Sequence, residues 1–225
     1  MDCTKPQVLG GTAELVLGGQ PVVFNTTTAV FIPKGTPYGP LTYRDFQRPH
    51  LQMSIVLGSG DPYAGAALGA AGGAAAAAPT KAAGGRVACG GQVEGASPHR
   101  PSEVDYESYV VRSPMREAGP DYVEGRQNPT MTYMSGTQVI GVKNYLEIGW
   151  IWDAPNRPIP RMRHDNYEEI VLHVGSDPLN PEDLGATMRF DVGNELTEYD
   201  TTHCVFLPRK LDHGPLIWSE VRRPM

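Results

Sequence analysis

The sequence predicts an all-β protein built from a duplicated unit, and three observations carry that prediction. First, Leu9-Gly10-Gly11-Thr12 to Arg48-Pro49-His50 aligns without a gap on Leu184-Gly185-Ala186-Thr187 to Arg223-Pro224-Met225, at a constant offset of 175. Of the 42 aligned positions 14 are identical, and they include glycines and prolines at turn positions, so the two stretches are copies of one fold unit. Second, short apolar runs recur between Gly- and Pro-rich breaks, as strands between turns do. Third, no stretch carries apolar residues at the 3.6-residue period of a helix.

The elements follow in chain order. Thr12–Leu17 and Gln20–Phe24 flank Gly18-Gly19, and Thr187–Val192 and Glu195–Tyr199 flank Gly193-Asn194; both read as hairpins. Ala29–Pro33 and Cys204–Pro208 read as short buried strands, each ended by a proline that cannot donate to a ladder. Leu51–Gly58, Ser108–Val111, Thr137–Ile140, Tyr145–Trp152 and Glu169–Val174 are further expected strands. Residues 64–96 are low in complexity: Ala64–Ala78 is all Ala and Gly but for Leu68, further glycines follow, and large apolar side chains are nearly absent, which predicts a flexible linker. The expected organisation is a partial first module over 1–60, a linker over 61–100 and a second module over 101–225. The first module has no room upstream for strands matching residues 137–175. The second stops before a counterpart of Leu51–Leu57, so either that strand completes it or the chain is a fragment with open sheet edges.

Composition excludes some partners. Lys+Arg 19 against Asp+Glu 25 gives a formal charge of -6 with no basic run, which argues against nucleic acid or an anionic membrane surface. No apolar stretch approaches the roughly 20 residues of a membrane span, and the N-terminus lacks the pattern of a signal peptide. Cys3, Cys89 and Cys204 are scattered and odd in number, so neither a disulfide frame nor a zinc knuckle is expected, and the expected location is cytoplasmic.

Candidate chemistry lies in the second module. His164, Glu168 and Glu169 sit just before and within an expected strand that leads to Gly175, and His213 follows the turn after Cys204–Pro208. Met162-Arg163-His164-Asp165-Asn166-Tyr167-Glu168-Glu169 resembles the first motif of the cupin superfamily, HxH followed by Glu, and Pro208-Arg209-Lys210-Leu211-Asp212-His213 resembles its second, PxGxxH. With the repeat, the chain resembles a two-module cupin, or bicupin, over residues 9–58 and about 137–225. The resemblance implies a duplicated double-stranded β-helix, the cupin jelly-roll barrel, holding one divalent transition metal (Fe, Mn, Ni, Zn or Cu) on histidines and a glutamate. Homo-oligomers are common in that superfamily.

Met162 replaces the first histidine of the motif, and a thioether is a poor ligand for a hard divalent ion. The implied metal set is then His164, His213 and one glutamate. Strand alternation turns Glu169, Val171 and His173 to one face and Glu168, Ile170 and Leu172 to the other, so only one glutamate can point inward. Glu169 is the preferred ligand, leaving Glu168 and His173 as candidate catalytic proton carriers. His203 reads as a surface change, and Tyr145, Trp150 and Trp152 as core residues or a cavity wall. Tyr38 replaces the second-motif histidine in the first copy, which is expected to be structural. Lys210 replaces the motif glycine, and if that position needs positive φ, a lysine strains the turn and displaces His213. Two functions follow. One is a metal-dependent cupin enzyme of oxygenase, isomerase or lyase type acting on a small-molecule substrate. The other is a non-catalytic cupin-fold protein that binds a small molecule or serves structurally, its metal site degraded.

Overall fold

The computed structural model describes residues 5–58, 104–116 and 122–225; the expected linker over 61–100 lies outside them. The described chain is all-β, with one 3-10 turn, Tyr106–Tyr109, as its helical element. Among the described residues no helix is long and apolar enough to cross a membrane.

The first copy forms strands β1 (Val8–Leu17), β2 (Gln20–Thr26), β3 (Ala29–Val30) and β4 (Tyr38–Arg44). Between the copies lie β5 (Val110–Val111), β6 (Met115–Arg116), β7 (Met131–Met134) and β8 (Leu146–Ile148). The last stretch holds β9 (Glu169–His173), β10 (Asp183–Val192), β11 (Glu195–Thr201), β12 (His203–Leu207) and β13 (His213–Val221).

The duplication is structural as well as sequential. One three-stranded antiparallel sheet runs β2-β1-β4 and another β11-β10-β13. Ala13 pairs with Phe24 as Met188 pairs with Tyr199, and both ladders slip at the same place, before Ala13 and before Met188. Single hydrogen bonds repeat too. Thr27 donates from its hydroxyl to Pro6 O at 2.6 Å, and Thr202 to Pro181 O at 2.7 Å. In β10 the alternating residues Leu184, Ala186, Met188 and Phe190 are fully buried, where they meet Leu207, Leu216 and Trp218. Burying each large side chain of this kind stabilises the fold by about 1.5–3 kcal/mol.

Several expected elements differ. β4 and β13 interrupt their own alternation with Gly39-Pro40 and Gly214-Pro215, which sit where the ladders to β1 and β10 slip. A proline inside a ladder is confined to such irregular positions, so these strands do not read as strands in sequence. Leu51–Gly58 alternates apolar and polar residues yet forms no ladder, and Leu51, Met53, Ile55 and Leu57 are exposed, so this segment does not complete the second module. Thr137–Ile140 is a turn between Gly136 and Gly141, not a strand. Ser108–Val111 begins as the 3-10 turn, whose first residue Tyr106 packs on Leu17 and Val22, and then becomes β5.

β5 pairs with β3 as β9 pairs with β12, so Val110 and Val111, beyond the linker, supply the first copy with the strand it lacks upstream. Among the described residues the pairings make five sheets of two or three strands, and none of them closes into a barrel.

Candidate metal centre

The three expected ligands converge. His164, Glu169 and His213 each direct one donor atom to a common point, with those atoms within 4.8 Å of one another. Glu169 opens β9, opposite Leu207 of β12. His213 opens β13 and is 1% exposed. Its backbone exchanges two hydrogen bonds with Met162, at 2.7 and 3.0 Å, which brings the loop carrying His164 alongside. Lys210 N donates to His164 O at 2.8 Å and fastens the same loop to the turn before His213. A Cβ at Gly214 would fall on the backbone of Pro160 and Arg161, so the close approach of these chains requires glycine there.

The imidazoles are oriented at their far nitrogens. His213 Nδ1 lies 3.0 Å from Leu211 O; a carbonyl only accepts, so Nδ1 carries the proton, and in the neutral ring Nε2 is left with a lone pair. His164 Nδ1 lies 2.7 Å from the Tyr167 hydroxyl, and the two rings stack at 4.5 Å and 23°. Both Nε2 atoms face Glu169 Oε2, His164 at 3.1 Å and His213 at 3.5 Å. Glu169 Oε2 and His213 Nε2 are buried and make no hydrogen bond within the protein. Burial first, and then the Glu169 charge, push the Tyr167 phenol above its ordinary pKa, so it stays protonated at neutral pH.

These residues fit a divalent ion. Two imidazoles and a carboxylate are the donor set of open transition-metal sites. Separations of 3.1 and 3.5 Å suit neighbouring ligands of an ion bound at about 2.0–2.2 Å. The orphaned Oε2 and Nε2 would find in such an ion the partner that the protein does not supply.

The other candidates lie elsewhere. Glu168 is exposed on the opposite side of β9 and is not among the three converging donors. His173 does share the inner face with Glu169, but its Nδ1 lies 3.1 Å from His203 Nε2, and its ring meets Phe190 and Trp218 edge-on. Burial, with the neighbouring His203 second, lowers its pKa to about 3. His203 is only partly exposed; it bonds Thr201 O through Nδ1 at 2.7 Å and stacks on Tyr199. Met162 is half-buried beside His213. In the first copy Tyr38 is exposed, and the β3–β5 register extended by two residues sets Ser108 opposite Ile32, where Glu169 stands opposite Leu207.

Tyr167 is the site residue that the sequence reading misses; nothing in the spacing of a polar loop announces a ring stacked on the histidine three residues before it. Two surface recesses, of about 390 and 400 Å³, are lined by Ser108, Tyr109, Gln138, Val139 and Ile140 and by Thr187, Glu198, Tyr199 and Asp200, and neither includes a triad residue. Comparison of the chain with protein-family models, with curated proteins and with solved structures finds no match.

Proposed function

We propose that the chain is a metal-dependent protein of the cupin type that holds one divalent transition ion on His164, Glu169 and His213 and acts on a small organic molecule as an oxygenase, isomerase or lyase. The observation that carries this reading is the buried pair Glu169 Oε2 and His213 Nε2, aimed at each other without a hydrogen bond, beside a second imidazole. The chain order His, Glu, His and the doubled three-stranded sheet support the cupin part of it.

An ion on three protein ligands supplies a Lewis acid with open positions. The chain's own residues do the rest. Leu211 O and Tyr167 hold the two rings with their Nε2 atoms inward. The side chains of His164 and Glu169 are 22% and 33% exposed while that of His213 is 2%, so the site lies nearer to solvent on the His164 loop side than on the core side, with the donor atoms of Glu169 and His213 themselves buried. A small molecule would therefore arrive past Tyr167 and the exposed ion pair Arg163–Asp165.

The non-catalytic reading has its own support: Met162 stands in the place of a further ligand, and neither recess reaches the donors. Metal analysis of protein purified without a histidine tag separates the two. About one equivalent of Fe, Mn, Ni, Zn or Cu per chain, lost in His213→Ala, is expected of a three-ligand site. Substoichiometric metal that His213→Ala leaves unchanged overturns the proposal.

A further inference from the structure

The two copies differ on a surface that the metal site does not use. The β3–β5 ribbon of the first copy is covered on both sides. Val30, Ile32 and Val110 pack toward Leu17, Val22 and Tyr106. Ala29, Phe31 and Val111 pack the other way, under Met134, Val139, Val142 and Leu146.

The β12–β9 ribbon of the second copy repeats only the inner half of this arrangement. Val205, Leu207 and Val171 join the core around Phe190. Its outer face carries Cys204 and Phe206, one repeat on from Ala29 and Phe31, with Leu172 and Ile170 directly opposite them in the ladder. All four are exposed, Ile170 at 63% and Phe206 at 58%. Among the described residues, the face that Met134–Leu146 covers in the first copy is bare in the second. Residues 59–103 bring only Tyr63, Leu68, Val87 and Val93 as large apolar side chains, a poor match for the cover seen in the first copy.

We propose that this bare face is a dimer interface, on which the same face of a second copy packs about a two-fold axis. The first copy shows what the face takes: the apolar side chains of Met134, Val139, Val142 and Leu146. The ribbon's outer face, Ile170, Leu172, Cys204 and Phe206, is itself an apolar patch, with the exposed Glu168 at its margin, and a self-complementary patch closes as an isologous pair. A contiguous apolar patch of this kind marks an interaction site more often than a solvated surface.

Sedimentation velocity of the full chain tests this. The expected species has twice the 24.4 kDa of one chain. The dimer is lost in Ile170→Glu/Phe206→Glu, with circular dichroism unchanged because both side chains point away from the core, and it is kept in Leu179→Glu, an exposed leucine elsewhere. In a Cys3→Ser/Cys89→Ser background, the Cys204 thiol reacts slowly with maleimide at concentrations where the dimer forms and quickly after dilution. If the double glutamate variant fails to fold, this labelling still decides. A monomeric wild type overturns the proposal, including one whose Cys204 is protected by its own chain. So does a dimer that survives the double substitution, or Cys204 labelling that does not depend on concentration.

Discussion

Gly35 and Lys210 stand one repeat apart and hold the same left-handed backbone, at φ 82° and 66°. Glycine adopts it freely; an L-residue does so at a cost of about 1–2 kcal/mol. Lys210 holds the positive φ without displacing His213, because its N–H bonds His164 O at 2.8 Å and the turn keeps its shape. Lys210→Gly should therefore raise stability by about 1 kcal/mol, the conformational relief less the entropy a glycine adds to the unfolded chain. Urea unfolding measures it. Metal affinity should not change, since the backbone bond to His164 remains; a lower urea midpoint would show that the lysine side chain contributes something the turn needs.

Tyr167 reaches His164 in two ways, through the hydroxyl at Nδ1 and through the stacked ring. Tyr167→Phe keeps the stack and removes the hydrogen bond, so it isolates the contribution of the hydroxyl. An outer partner of this kind is worth about 10–100-fold in metal affinity, which is the drop expected for Tyr167→Phe. Titration calorimetry with Zn²⁺ or Co²⁺ reads it directly, with His213→Ala as the reference for loss of a ligand. Equal affinity in wild type and Tyr167→Phe would leave the phenol no part in orienting the ring.

The fold was legible where local pattern and long-range pairing agree. The offset of 175 predicts that two units share one sheet order, and β2-β1-β4 and β11-β10-β13 do. The alternation of Glu169, Val171 and His173 predicts which glutamate meets the histidines. Pairing partners were not legible, because period-two alternation specifies a face and not a neighbour. Hence Leu51–Gly58 reads as a strand but finds no ladder, while β5, only two residues long, supplies the strand that the first copy needs. Tyr167 was hidden for the same reason: a ring stack is made by the return of the loop, not by its composition.

His173 gives the fold a pH dependence whose sign follows from its surroundings. His203 Nδ1 donates to Thr201 O, so with that ring in its neutral form Nε2 accepts from His173 Nδ1. Folded His173 stays neutral down to about pH 3, against an ordinary value of 6.5. Below pH 6.5 the unfolded chain therefore binds a proton that the folded chain does not, and stability falls as pH falls. The slope from this one residue approaches about 1.4 kcal/mol per pH unit between those limits. Urea midpoints at about pH 7.0 and about pH 5.0, roughly half a unit above and one and a half units below the free imidazole value, should differ in wild type by more than in His173→Gln. An identical difference in the two proteins would place the acid sensitivity elsewhere.

The bulges that end the two central strands rest on a glycine and an arginine acting as one unit. Gly10 and Gly185 have φ of 84° and 74°, and a Cβ on either would fall on the side chain of Arg48 or Arg223. Arg223 Nη2 donates to Asp183 O at 2.7 Å and reaches Asp183 Oδ2 at 2.9 Å, while Asp183 Oδ1 accepts from Gly185 N at 2.9 Å. Gly185 O in turn accepts from the N–H groups of Arg222 and Arg223. Gly185→Ala should cost about 1–2 kcal/mol from backbone strain alone and more from the displaced arginine. Because that arginine is already moved, adding Arg223→Ala should cost less than it does in the wild type. The double-mutant cycle should therefore close with a coupling of about 1 kcal/mol, within the range for residues in contact. Additive losses would mean that the alanine methyl is accommodated without moving Arg223, and that the glycine is required by its φ alone.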